Sequence, residues 1–172
     1  MKYNVGVFSI SYPIWRRFIY HYCAYKEIYA LFESLPPEKE FWVHTCDAHL
    51  EMATIYWCMI FGTDSNETHW KKLGLDNDGF KEYLLQNLGI SDGVWDDYRK
   101  NMLKFRNEFV AHRPKKYEKP VPFFSLALNA TICLESWVRE QIKPDIIVDK
   151  PLSVIVEKNR EDIRSTLLRV IR

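Results

Sequence analysis

Residues 95–112, WDDYRKNMLKFRNEFVAH, decide the fold class of this chain. Five of their apolar side chains recur at alternating steps of three and four residues: Trp95, Tyr98, Met102, Phe105 and Phe109. This spacing places the five on one face of an α-helix. Ser91 or Asp92 can cap the helix at its N-terminus, and Pro114 disfavours helical geometry at the residue before it. The stretch therefore predicts an amphipathic α-helix over residues 92–112.

The same spacing of apolar residues recurs along most of the chain. It predicts further helices over residues 13–34, 39–61, 78–88 and 124–142, and a last helix near 158–172. Stop signals separate these segments: Pro36 and Pro37, the turn cluster Gly62–Asn66, Gly89 and Pro144. The chain has 172 residues and no internal repeat, so the pattern predicts a single-domain, all-α, antiparallel helical bundle.

The two ends of the chain are less regular. Near the N-terminus the apolar residues alternate: Val5, Val7 and Ile10. This alternation favours a short extended arm over residues 1–12, and Pro13 then suits the first turn of a helix. We therefore assign the bundle to residues 13–142 and a C-terminal extension with a final helix to residues 143–172. The pattern over residues 145–156 is ambiguous.

Bulk composition excludes several classes of protein. No apolar run approaches the roughly 18 residues that a membrane span needs, and the N-terminus lacks the basic patch and apolar stretch of a signal peptide. The four cysteines, Cys23, Cys46, Cys58 and Cys133, are far apart and form no CxxC pair, unlike those of a disulfide framework or a zinc ribbon. We therefore expect a cytoplasmic protein with no membrane partner and with reduced, buried cysteines.

One short string raises the question of a metal site. His44, Cys46 and His49 form an HxCxxH sequence. Because the two histidines are five residues apart, they do not lie on one face of a helix. No glycine-rich phosphate loop, GxSxG elbow, HExxH motif or EF-hand loop is present either. We therefore predict no metal site and no cofactor.

Positive charge is concentrated in one window although the net charge of the chain is only +1. Residues 99–119 contain eight Lys and Arg residues against two Glu residues, a local net charge of +6. Such clusters supply most of the affinity of proteins for phosphate groups of nucleic acids. The candidate RNA-binding residues are Arg99, Lys104, Arg113, Lys115 and Lys116. The alternative is a solvated helix end, where cations are favoured by the helix dipole.

A motif lies inside this window. Arg106, Asn107 and His112, with five residues between the arginine and the histidine, resemble the motif of the HEPN superfamily. These are helical-bundle proteins that include many prokaryotic ribonuclease toxins and abortive-infection proteins. Residues 55–62 (IYWCMIFG) and 68–71 (THWK) also resemble one HEPN subgroup, which is linked to phage abortive infection. The resemblance covers about residues 13–142.

The resemblance implies a metal-independent endoribonuclease, a toxin or antiphage effector that cleaves RNA by attack of its 2′-hydroxyl. His112 would transfer protons, which imidazole does best near neutral pH. Arg106 would stabilise charge at phosphorus, because guanidinium matches phosphate oxygens. Asn107 would hydrogen-bond the substrate or orient a partner group. The implied partners are RNA and, for a toxin, an antitoxin protein.

Arg106 and His112 would not meet within one α-helix. Six positions amount to about 600°, so the side chains point about 120° apart and lie about 9 Å apart along the axis. The resemblance therefore implies a homodimer in which Arg106, Asn107 and His112 of both chains line a shared basic groove. The alternative is a non-catalytic helical module that binds RNA or a partner protein, in which His112 continues the apolar stripe and Arg106 forms a surface ion pair.

Overall fold

The structure is a computed structural model that describes residues 3–110, 121–143 and 150–171. Its α-helices are α1 (Val5–Leu31), α2 (Lys39–Phe61), α3 (Asn77–Leu88), α4 (Asp92–Phe105), α5 (Phe124–Gln141) and α6 (Leu152–Ile171). Short 3-10 turns lie at Phe32–Ser34 and Trp70–Leu73, and a π-helical turn follows α4 at Arg106–Val110. No strand occurs in the described ranges, so the predicted all-α helical bundle is confirmed.

Helices α1 and α2 form an antiparallel pair. The thiol of Cys46 on α2 donates to the carbonyl oxygen of Tyr25 on α1. Three residues further along α2, His49 faces His21, which lies four residues earlier on α1. Residue numbers therefore rise along α2 as they fall along α1. The two consecutive prolines that end the predicted first helix lie in the connection between the pair.

The main core is formed by side chains of all six helices. Its largest fully buried side chains are aromatic: Trp15, Phe18, Trp57, Phe61, Phe80 and Phe105. Each removes a large apolar area from water, which stabilises the fold by roughly 1.5–3 kcal/mol for a fully buried side chain. The predicted stripe of α4 faces this core, because Trp95, Met102 and Phe105 are buried and Tyr98 packs against them. The polar face of α4 is thereby turned outward.

The predicted N-terminal arm is wrong. Helix α1 begins at Val5, where the side chain of Asn4 accepts a hydrogen bond from the Val7 amide and caps it. The Asn4 amide also donates to the carbonyl of Leu73, which anchors the helix start to a distant turn. Val5 and Ile10 are 58% and 48% exposed, so their alternation does not mark a buried strand face. The helical spacing of residues that pack on the core instead begins before residue 13, the predicted start of the helix.

Pro13 lies inside α1 and not in its first turn. A proline there removes one backbone hydrogen bond, a loss that usually breaks an isolated helix. Burial of residues on both sides of it offsets this cost, since Tyr12, Ile14 and Trp15 are all in the core. Tertiary packing has overridden the local preference of proline for the first turn of a helix.

The C-terminal helix also starts earlier than predicted. Helix α6 begins at Leu152 instead of near residue 158, directly after Pro151, whose carbonyl accepts from the amides of Val154 and Ile155. Buried apolar residues of α6 pack on the bundle: Leu152, Val156 and Leu167. Residues 145–149 of the ambiguous segment lie outside the described residues, and its residues 152–156 belong to α6.

Charged groups fasten α6 to α1. The carboxylate of Glu27 on α1 is almost fully buried and lies 3.3 Å from Arg164 Nη1 and 3.7 Å from Arg160 Nε, both on α6. A buried carboxylate requires such partners, because an unpaired one would be strongly destabilising. The predicted C-terminal extension therefore packs directly on the first helix of the bundle.

Within the described ranges, no helix is both long and apolar enough to cross a membrane.

Candidate functional site

The end of α4 departs from regular α-helix at the first residue of the motif. The α-helix stops at Phe105, and residues Arg106–Val110 form a π-helical turn. The predicted α-helix to residue 112 is therefore wrong in its last part. A π-turn bonds residues five apart and widens the helix. His112 lies outside the described residues, so its 120° separation from Arg106 stays a prediction. Such turns are rare and often occur at functional sites.

Two aromatic rings hold this turn in place. The rings of Phe105 and Phe109 are stacked, with centroids 5.0 Å apart and an interplanar angle of 12°. Phe105 is fully buried, and Phe109 packs against the core from its edge. The apolar side of the π-turn is therefore anchored, and the side that carries Asn107 and Glu108 is exposed.

Arg106 and Asn107 form a hydrogen-bonded pair on the turn. Nε and Nη2 of Arg106 both donate to Oδ1 of Asn107, at 3.0 Å and 2.8 Å. The amide thus orients the guanidinium plane, while Asn107 itself is exposed and Arg106 is half-buried. The structure therefore brings together two of the three residues predicted as catalytic.

A buried cysteine lies near this pair. The Arg106 guanidinium acts electrostatically on Cys58 of α2, whose thiol donates to the carbonyl of Met102 at 3.8 Å. Burial raises the pKa of the Cys58 thiol to about 12, and the positive charge of Arg106 opposes that rise only in part. A thiol with so high a pKa is not a nucleophile at neutral pH. Cys58 is therefore a packing residue.

The other three cysteines resemble Cys58 in this respect. Burial is the main cause in each case: it raises the pKa of Cys23 to about 12, that of Cys46 to about 11, and that of Cys133 in the same direction. All four cysteines are free thiols. The site chemistry must therefore come from other side chains.

The remaining residues of the predicted site divide into two groups. His112, Arg113, Lys115 and Lys116 lie outside the described residues, so the distance between Arg106 and His112 stays a prediction. Arg99 and Lys104 are described. Lys104 Nζ lies 3.5 Å from Glu108 Oε1 of the π-turn, an ion pair between two side chains that are each about half exposed.

Arg99 has a structural partner that the sequence does not reveal. Its Nε and Nη2 each donate, at 2.8 Å, to the carbonyl oxygens of Phe61 and Gly62, and its Nη1 lies 3.3 Å from Asp96. These carbonyls belong to the C-terminal end of α2, where backbone acceptors lack helical partners. Arg99 therefore joins α4 to the end of α2, although it was predicted to bind RNA.

We expect Arg99→Ala to lower the free energy of unfolding by about 2 kcal/mol, because hydrogen bonds from a charged donor contribute roughly 1.5–3 kcal/mol. Urea denaturation followed by circular dichroism measures this change. Lys100→Ala is the matched control, since Lys100 is exposed and lies 3.9 Å from Asp97, and it should change stability by less than about 0.5 kcal/mol. Equal stability of the two variants would contradict the structural role of Arg99.

The segment after α2 folds back on the end of that helix. Asn66 Nδ2 donates to the Cys58 carbonyl at 2.9 Å, and the Thr68 hydroxyl donates to the Met59 carbonyl at 3.2 Å. His69 follows and is fully buried. Residues 55–62 and 68–71 are therefore hydrogen-bonded to each other.

His69 is neutral in this environment. Its Nδ1 accepts from the Lys71 amide at 3.3 Å, and its Nε2 lies 3.4 Å from Asp64 Oδ1. Burial lowers the pKa of His69 to about 4, although the Asp64 carboxylate acts in the opposite direction. Because Nδ1 is an acceptor, the proton is on Nε2 and faces Asp64. His69 thus stabilises the turn.

A polar cleft opens between α3, α4 and the 3-10 turn Trp70–Leu73. It has a volume of about 330 Å³, and its lining includes Trp70, Lys71, Lys81, Trp95, Asp96 and Arg99. Lys71 is paired with Asp64 at 2.8 Å, and Lys81 with Asp92 at 2.7 Å. The ammonium groups of Lys71 and Lys81 suit the phosphate groups of a nucleotide. The sequence analysis missed this cleft, because its residues come from separate elements with no common spacing.

The three side chains of the HxCxxH string lie in three different environments. His44 is exposed and lies 3.8 Å from Glu40, one turn earlier on α2. Cys46 points at α1, and His49 faces His21. The three side chains of the string therefore do not converge on one point.

Comparisons with known proteins add no identification. No protein-family model, no curated protein and no solved structure matches this chain.

Proposed function

We propose that this chain is a HEPN-type, metal-independent endoribonuclease that acts as a toxin or antiphage effector, with Arg106, Asn107 and His112 as its catalytic residues. The observation that carries the proposal is the Arg106–Asn107 pair on the π-turn. It presents a positively charged, pre-oriented donor group at the edge of the bundle. The same window holds eight basic residues.

With respect to the described residues, the guanidinium of Arg106 keeps donors for a phosphate group. Arginine has five N–H donors in a fixed plane, and Asn107 receives bonds from only two of the three nitrogen atoms, Nε and Nη2. Preorientation lowers the entropy lost when the guanidinium meets its ligand. Arg106 would therefore contact a non-bridging phosphate oxygen through Nη1 and stabilise the charge that develops there.

The reaction needs two proton transfers. The 2′-oxygen of a ribose attacks the adjacent phosphorus and loses its proton to a base, and the bond from phosphorus to the 5′-oxygen breaks as an acid protonates that oxygen. The products are a 2′,3′-cyclic phosphate and a 5′-hydroxyl. Imidazole serves both roles near neutral pH, so the two His112 side chains of a dimer would supply base and acid.

The dimer follows from this requirement. One chain has a single motif histidine, and a symmetric pair of chains brings two of them to a two-fold axis. The exposed face of the π-turn would line the groove between the chains. The cleft beside Arg99 extends the RNA track, since Arg99 precedes Arg106 by seven residues, which is two helical turns or about 10 Å.

The test uses the untagged, full-length chain and an RNA labelled at both ends. We expect cleavage to persist in EDTA and to yield cyclic phosphate and 5′-hydroxyl termini, identified by resistance of the 3′ ends to ligation and by direct phosphorylation of the 5′ ends. Light scattering should give about twice the chain mass of 20.6 kDa.

Three outcomes would contradict the proposal. They are cleavage that stops when EDTA is added, products with a 5′-phosphate, and a strict monomer with full activity. RNA binding without cleavage of any RNA offered would instead support the non-catalytic helical module. The internal pairing of Arg99 and Lys104 favours that alternative, because it leaves fewer described cations for the substrate.

A further inference from the structure

Two histidines from neighbouring helices meet outside the motif. Nδ1 of His21 on α1 lies 2.9 Å from Nδ1 of His49 on α2, and the ring centroids are 4.9 Å apart. Both side chains are half-buried at the surface of the α1–α2 pair. We propose that His21 and His49 chelate a divalent transition-metal ion, Cu²⁺ in preference to Zn²⁺, through these two nitrogen atoms.

The separation of the nitrogen atoms decides which ion fits. Imidazole nitrogens bind such metals at about 2.0–2.1 Å. Two nitrogens 2.9 Å apart therefore subtend about 90° at a metal placed at those bond lengths. This is the angle between adjacent ligands in tetragonal Cu²⁺ or Ni²⁺, whereas tetrahedral Zn²⁺ needs a separation of about 3.3 Å. Copper also exceeds nickel and zinc in general affinity for such ligands.

Neither imidazole carries a positive charge that would repel a metal ion. Burial lowers the pKa of His21 to about 4, with the charges of His49 and Arg17 acting in the same direction, and burial also lowers the pKa of His49. Both rings are therefore neutral at pH 7, and one Nδ1–H donates to the other Nδ1 at 2.9 Å, so metal binding displaces only the one proton that lies between the two nitrogen atoms. Burial destabilises the charged imidazolium and not the neutral imidazole, so it favours the form of the ring that can donate a nitrogen lone pair.

Neighbouring rings restrict the two imidazoles. Tyr20 lies edge-on to His21, with centroids 5.7 Å apart, and Tyr56 lies at the same centroid distance on a tilted plane. Tyr20 also contacts His49 at 6.2 Å. These contacts hold both rings from more than one side, which favours a preformed pair of ligands. Arg17, whose charge acts on His21, lies over the Tyr56 ring at 6.0 Å from its centroid.

The remaining coordination positions are open. Among the described residues, no group of three or more His, Cys, Asp or Glu side chains is placed to hold a metal. Water or an external ligand would therefore complete the coordination. The site is also separate from the motif: His49 precedes Cys58, the residue on which the Arg106 charge acts, by nine residues or about 13.5 Å along α2. A metal ion at this site would therefore not take part in RNA cleavage, and removing it with EDTA should leave cleavage unchanged.

The first test requires no variant. The untagged, full-length chain is freed of metal with EDTA, dialysed, and titrated with CuCl₂, NiCl₂ and ZnCl₂ in separate calorimetric experiments. We expect one Cu²⁺ per chain, with weaker binding of Zn²⁺. The electron paramagnetic resonance spectrum of the copper form should be tetragonal and show hyperfine splitting from two imidazole nitrogens. A spectrum without imidazole nitrogens would overturn the proposal.

The second test uses matched histidine variants. His21→Ala and His49→Ala should each weaken Cu²⁺ binding more than about 100-fold, because even partners outside the ligand shell contribute about 10–100-fold. His44→Ala is the control, since His44 is an exposed histidine on the same helix, and it should bind Cu²⁺ like the wild type. Loss of binding in the control, or its retention in both other variants when circular dichroism shows them folded, would overturn the assignment.

Discussion

Arg106→Ala is expected to lower the rate of RNA cleavage by about 10²–10³-fold while the fold stays intact. The loss follows from the removal of a preorganised donor at the charge that develops on the phosphate in the transition state. The fold should survive, because the guanidinium is only half-buried and, among the described residues, its hydrogen bonds are to the adjacent Asn107. A gel assay under single-turnover conditions measures the rate, and circular dichroism measures the fold.

Two further variants separate charge from geometry. Arg106→Lys keeps the charge but loses the planar arrangement of donors, so it should recover only part of the activity. Asn107→Ala frees the guanidinium from its orienting amide and should slow cleavage less than Arg106→Ala does. Lys100→Ala removes an exposed cation of the same helix and should have little effect. If Arg106→Ala cleaves RNA as fast as Lys100→Ala does, Arg106 is not a catalytic residue.

His112→Ala should reduce the rate by about 10²–10⁴-fold, the usual contribution of a general acid or base. If the variant unfolds instead and the wild-type chain cleaves no RNA, His112 is a residue of the apolar stripe. That result would support the non-catalytic module.

Gly62→Ala is expected to have the largest effect on stability, a loss of about 3 kcal/mol in the free energy of unfolding. A Cβ atom at this position would lie 2.3 Å from the carbonyl oxygen of Cys58 and 3.1 Å from Cδ2 of Leu103. The backbone cannot easily move away, because the Gly62 amide donates to that same carbonyl and the Gly62 carbonyl accepts from Arg99. The midpoint of urea denaturation measures the change.

Gly93→Ala is the matched control for this substitution. Gly93 lies in the first turn of α4, and a Cβ atom there would meet nothing within 4 Å. Alanine is favoured over glycine in a helix by roughly 0.5–1 kcal/mol, so this variant should be as stable as the wild type or slightly more stable. If both variants unfold at the same urea concentration, the close approach at Gly62 does not limit the packing of α2 against α4.

The candidate site was predictable in part. Arg106 and Asn107 are adjacent in sequence, so their proximity requires no tertiary information. The structural role of Arg99 was not predictable, because its acceptors, the carbonyls of Phe61 and Gly62, lie 38 and 37 residues away. The meeting of His21 with His49 spans 28 residues and could not be inferred from either helix alone. For Arg99 and for the two histidines, the role of the side chain depends on a contact with a residue that is distant in sequence.

The sequence by itself determined the all-α class and the bounds of several helices. Helix α2 spans the predicted residues 39–61, and α3 and α5 agree with prediction to within one residue at each end. The reason is that helical hydrogen bonds join residues four apart, so the apolar period and the stop signals are local features. Only the tertiary structure decided that α1 runs through Pro13 from Val5, since its start depends on a backbone bond to Leu73 and on a shared core. Only the tertiary structure also decided that α6 packs against Glu27 of α1. The arginines that pair with this buried carboxylate are distant from it in sequence, so no local pattern indicates the contact.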